Sequence, residues 1–123
     1  MSGMSLNFRK WMLALVFSLG FAAQAEELTF ELRIESGRVP DNMRLIRVKQ
    51  GDTVRLRWST DRTIVLHLHG YDIEKKIEPG TIAEMTFAAR ATGRFPVEVH
   101  TSKEGGGKAH GEAPLVQIEV YPR

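Results

Sequence analysis

The stretch TVRLRWSTDRTIVLHLHGYD, Thr53–Asp72, decides the fold class. Val54, Leu56 and Trp58 alternate with Arg55 and Arg57; after the polar break Ser59–Arg62, Ile64, Leu66 and Leu68 alternate with Val65, His67 and His69. Successive side chains of a strand point to opposite faces, so a period of two with one apolar set marks a half-buried strand, whereas a helix would space its apolar residues three and four apart. The same alternation puts His67 and His69 on one face, opposite Ile64, Leu66 and Leu68.

Working outward, the period of two persists. LTFELRI (Leu28–Ile34) aligns Leu28, Phe30, Leu32 and Ile34, and turn-forming Gly37, Pro40, Asp41 and Asn42 break it. RLIRVKQGD (Arg44–Asp52) puts Ile46 and Val48 on one side and ends at Gly51-Asp52. Beyond the Pro79-Gly80 turn, Ala83, Met85 and Phe87 are in phase, then Phe95, Val97 and Val99, then Val116, Ile118 and Val120. Pro96 lacks a backbone N–H and predicts an edge strand or a bulge. The expected architecture is all-β, an antiparallel Greek-key β-sandwich or barrel of about seven short strands.

The first 25 residues read as a signal peptide. Arg9 and Lys10 precede the apolar run Trp11–Phe21, and Ala23-Gln24-Ala25 supplies a small-x-small cleavage pattern. The run is shorter than the roughly 20 residues of a spanning helix. The division expected is 1–25 signal peptide and 26–123 a single domain, periplasmic or secreted, with a membrane involved only through the cleaved segment. Arg9 and Lys10 leave with it, which brings the 17 basic residues level with the 15 acidic ones. A near-neutral domain does not suit electrostatic binding of nucleic acid. The sequence contains no cysteine. Disulfides, thiol nucleophiles and thiolate metal ligands are therefore excluded, and any metal must be held by His, Asp, Glu or Met.

The order of these segments resembles the cupredoxin fold: VKQGDTVRLRW, a histidine-bearing strand, EPGTIAEMTFAARATGRFPVEV and a closing LVQIEVYP, which together span nearly all of residues 26–123. The resemblance is to small exported cupredoxin-like domains with an H-x-H-G-Y-D segment, here His67–Asp72, and a late V-E-[VL]-H segment, here Val97–His100. It implies a copper-associated sandwich. It also implies a departure from the blue-copper pattern G-x-[YF]-x-[YF]-x-C: Gly93, Phe95 and Val97 hold the first three places and Val99 stands where the cysteine would be. A blue site needs that thiolate, so this chain is not expected to be a blue-copper electron carrier.

The sequence has four histidines. His67 and His69 share a strand face about 7 Å apart, and both can reach one ion. His100 ends the FPVEVH segment and is the expected third donor; His110, beyond Gly105–Gly107, could close the site from a loop. The expected metal site is thus His67, His69, His100 and His110, meeting at one end of the sandwich, with copper, as Cu(II), the expected ion and zinc the alternative. Asp72 and Glu98 are candidate carboxylate ligands or acceptors for imidazole N–H groups. Met85 reads as core and Met43 as a loop thioether. EGGGKAH (Glu104–His110) lacks the spacing and the strand-to-helix setting of a phosphate loop. The function expected is copper handling as carrier, buffer or delivery protein, with a partner protein in the periplasm and no catalytic role. The competing reading is a metal-free accessory or protein-interaction module.

Overall fold

The computed structural model describes residues 24–100 and 113–123. Eight strands form two sheets: β1 Glu27–Ile34, β2 Leu45–Lys49, β3 Thr53–Thr60, β4 Ile64–Leu68, β5 Ile73–Ile77, β6 Ala83–Ala88, β7 Gly93–His100 and β8 Val116–Tyr121. The three-stranded sheet has the order β1-β3-β6 and the five-stranded sheet the order β2-β8-β7-β4-β5. Helical structure among the described residues is one 3-10 turn, Asp41–Met43. The all-β sandwich expected from the alternation is the fold observed.

The inward face of each strand is the one its apolar residues mark. Leu32, Ile34, Val54, Leu56, Trp58, Leu66, Leu68, Met85, Val97, Val116 and Ile118 are all buried in one core between the sheets. At about 1.5–3 kcal/mol for each large apolar side chain taken out of water, this core holds the fold without any covalent cross-link. Met43 lies partly buried against it. The opposite face of the three-stranded sheet carries a charge row set by register. Arg57 lies across from Glu31 on β1 and Glu84 on β6 and bonds both, at 3.0 and 2.7 Å. These exposed pairs contribute little to stability; they keep the outer face wet.

Three features differ from the sequence expectation. First, β5 makes eight strands rather than seven. Its sequence IEKKI has charges at three consecutive positions, and Lys75 pairs with buried Leu66, so it points to the apolar side. An inward-pointing charge belongs to an edge strand, where it blocks pairing with another sheet. Second, the sheets are mixed: β1 pairs parallel with β3, and β2 parallel with β8. The chain changes sheet after β1 and again after β2, and a strand that returns after such an excursion arrives in the same direction. Third, Pro96 lies in β7, an interior strand. It is tolerated because the β4–β7 ladder ends at the Leu68–Val97 pair, where the His69 N–H donates to the Pro96 carbonyl at 3.0 Å and the reciprocal bond is the one proline cannot make.

Asp52 ties the segment before β1 to the segment after β8. This buried carboxylate accepts from the Glu26 N–H and the Lys49 N–H, each at 3.0 Å, and pairs with Arg123. Burial opposes ionisation, but the two N–H bonds and the charges of Arg123 and Lys49 outweigh it and hold the pKa below the ordinary 3.8. A carboxylate whose folded-state pKa is depressed contributes its full stability above the unfolded-state value and loses it as pH falls through the folded-state value. Denaturant unfolding from pH 6 downward is therefore expected to show a stability loss that sets in near pH 4 and steepens below it. Asp52→Asn should lower stability at pH 6 and flatten that acid limb; an unchanged limb would contradict the assignment.

Candidate metal centre

Leu66 and Leu68 point into the core with no exposed surface, so alternation turns Val65, His67 and His69 to the outer face of the five-stranded sheet. Residues directly paired across antiparallel strands share a face. Val65 pairs with His100 on β7 and Lys76 on β5; His67 pairs with Glu98 on β7 and Glu74 on β5. The outer face therefore presents the row Glu74–His67–Glu98, with His100 one step along β7 and His69 just past the end of β4. Val99, which stands at the cysteine position of the blue-copper pattern, points the other way, so His100 is on the opposite face from that position.

The rings converge. His67 and His69 have centroids 4.3 Å apart at 73°, and His67 and His100 4.9 Å apart at 39°. Each of the three offers one ring nitrogen, and the three nitrogens lie within 4.8 Å of one another. His67 Nδ1 and His69 Nε2 are separated by 3.3 Å. Two nitrogens bound to one tetrahedral ion at about 2.0–2.1 Å sit about 3.4 Å apart. The pair has a spacing that suits a shared ion as well as a hydrogen bond, and the three rings together offer nitrogens within 4.8 Å of one another. The meeting place corrects the sequence expectation: the imidazoles gather on the outside of a sheet, near the β4–β5 hairpin, rather than at the end of the sandwich.

Each imidazole also has a carboxylate. His69 Nε2 lies 3.0 Å from Glu98 Oε1, and His100 Nδ1 lies 3.3 Å from Glu74 Oε2. His67 Nε2 lies 3.6 Å from Asp72 Oδ1, beyond hydrogen-bond length, and the Asp72 side chain is almost fully exposed. Glu98 and Asp72 were candidates from the sequence; Glu74 was not, because its strand was not recognised. His110 and the Gly105–Gly107 segment lie outside the described residues. Side-chain exposures of 19% for His67, 40% for His69 and 45% for His100 leave the cluster half open to solvent. The donor set, three imidazoles with carboxylates at the rim, suits Cu(II) or Zn(II) and contains no soft sulfur.

The hairpin Leu68–Ile73 fixes His69. Gly70 has φ +91° and Asp72 φ +55°, both in the left-handed region. A Cβ on Gly70 would fall 2.5 Å from Phe95 Cδ1, so the backbone reaches this position only as glycine. Tyr71 packs its ring on Phe87 and Phe95, with centroids 4.7 and 5.0 Å apart, and ties the loop to the sandwich.

No protein-family model matches the chain, and no curated protein sequence matches it. Solved structures do. The periplasmic domain of cytochrome oxidase subunit II (CoxB) of Bradyrhizobium japonicum superposes with a TM-score of 0.58 at 20% identity, over 77% of this chain and 84% of that one. A multi-copper oxidase from Pseudomonas thermotolerans gives 0.59 at 21% identity, over 81% of this chain and 31% of that one, so this chain spans about a third of that enzyme. A copper binding protein solved in its apo form by NMR gives 0.54 at 14% identity, over 84% and 98%. The fold is cupredoxin-like.

Gly70→Ala tests the hairpin's part in placing His69. An alanine at positive φ, pressed against the Phe95 ring, is expected to cost more than about 1 kcal/mol in urea unfolding, and an unchanged midpoint would contradict the reading.

Proposed function

We propose that this protein binds one copper ion through His67, His69 and His100 and serves outside the cytoplasm as a copper carrier or buffer, without a catalytic role. The observation that carries the proposal is the 3.3 Å approach of His67 Nδ1 to His69 Nε2, with the tilted His100 ring close by on the adjacent strand. Imidazole and carboxylate donors present the ion to solvent on an open sheet face, where a partner can reach it. That placement fits exchange of the metal better than burial of a permanent cofactor.

The fold neighbours support the copper assignment, since two of them are a multi-copper oxidase and a copper binding protein. The export reading rests on the leader pattern of residues 1–25, and the periplasmic description of the CoxB domain agrees with it. Electron transfer of the blue-copper kind is outside this proposal because the sequence supplies no thiolate. Zinc satisfies the same three imidazoles, and competition between the two ions decides which is held. The Irving–Williams order favours Cu(II) for such a set.

The test is titration of the domain 26–123 with Cu(II), followed by EPR. One equivalent is expected to give a single species with nitrogen hyperfine structure and no intense thiolate-to-copper absorption. His67→Ala combined with His69→Ala should weaken binding by more than about 100-fold, beyond what losing an orienting partner costs. Protons compete with metal for the imidazoles, so affinity should fall on acidification. Absence of a stoichiometric signal, or a double variant that binds like wild type, would overturn the proposal.

A further inference from the structure

The three carboxylates around the imidazoles do not occupy equivalent places. Glu74 lies on His100 Nδ1, and Asp72 stands off His67 Nε2, the ring nitrogen opposite the Nδ1 that faces His69. Asp72 therefore sits behind the His67 ring, whereas Glu74, paired with His67 across the β4–β5 ladder, reaches over β4 to His100 and does not touch the His67–His69 nitrogen pair. Glu98 is different: its Oε1 lies 3.0 Å from His69 Nε2, the same atom that lies 3.3 Å from His67 Nδ1. His69 Nε2 can donate to the Glu98 carboxylate or accept from a His67 Nδ1–H, but it cannot do both. A cation among the three atoms would satisfy all of them at once.

Register explains why Glu98 can be there. It is paired directly with His67 across the β4–β7 ladder, so its Cβ starts from the same face, directly across from that of His67. We infer that Glu98 supplies a fourth, anionic ligand through Oε1, and that this oxygen makes the site one for oxidised copper in preference to Cu(I). The inference rests on the copper reading above and deepens it. Carboxylate oxygen is a hard donor that suits Cu(II) and Zn(II), whereas Cu(I) is selected by soft thiolate and thioether groups. The sequence contains no cysteine, and Met85 is buried in the core while Met43 packs against it.

The experiment measures Cu(II) and Cu(I) affinities of the wild-type domain, each metal presented alone against a chelator of known affinity, beside Glu98→Gln and Glu74→Gln. Glutamine preserves shape and removes the charge, so both variants are expected to fold. Glu98→Gln should weaken Cu(II) by about 10–100-fold, change the EPR parameters and leave Cu(I) within about threefold. The reduction potential of the bound copper should rise with it, by roughly 59–118 mV at 59 mV per tenfold for one electron. Glu74→Gln, at His100 and away from the His67–His69 nitrogen pair, should weaken both oxidation states alike. If Glu98→Gln behaves like Glu74→Gln, or like wild type, Glu98 is not a ligand and the inference is overturned while the histidine site stands. If wild type takes up neither ion, the histidine site and the inference fail together.

Discussion

The burial of Leu66 and Leu68 is the constraint on which the site depends. With both side chains fully inside the core, β4 can present only Val65 and His67 to the outside, and His69 follows in the same phase just past its end. A one-residue slip would reverse the strand, exposing two leucines at about 1.5–3 kcal/mol each and burying imidazoles among apolar side chains. The core thus chooses the face on which the histidines stand. The β4–β7 register then chooses their company, since pairing Leu66 with Val99 and Leu68 with Val97 leaves His67 opposite Glu98 and Val65 opposite His100. Chemistry at the site is a by-product of hydrophobic packing one residue away.

The end of that ladder is as specific as its middle. Pro96 cannot return the hydrogen bond that His69 gives it, and Gly70 takes a left-handed conformation directly afterwards. The chain leaves the sheet at the point where His69 must lean back toward His67. Tyr71 holds the departing loop against Phe87 and Phe95. The imidazoles stand on the outer face, opposite the side chains that form the core, so metal binding would add stability by mass action rather than create the fold. Such a domain can load and release an ion while folded.

Most of the fold was legible because seven of the strands alternate cleanly, and every face assigned from alternation is the face observed. β5 was missed because its three consecutive charges, Glu74, Lys75 and Lys76, hide the in-phase Ile73 and Ile77. The parallel pairs were not legible, since direction depends on which sheet each crossover enters and alternation carries no such information. Pro96 was misplaced for a related reason: a missing N–H matters only where a partner would use it, and that depends on where the neighbouring strand stops. At the site, the H-x-H spacing and the closing histidine of β7 led to the three imidazoles. Glu74 could not be found, because it becomes a neighbour of His100 only across the strand that was overlooked. The roles of Glu98 and Asp72 were not separable in the sequence, because Glu98 faces the cluster through cross-strand register whereas Asp72 stands out from a turn.

The central claim is that three imidazoles from two neighbouring strands bind one copper ion on the outer face of the five-stranded sheet. X-ray absorption at the copper edge, on the domain 26–123 loaded with one equivalent of Cu(II), counts those ligands directly. The account predicts three imidazole scatterers at about 2.0 Å, the length of a first-row metal–imidazole bond, with light-atom neighbours and no sulfur. A spectrum with one imidazole or none, or with a sulfur neighbour, would contradict it.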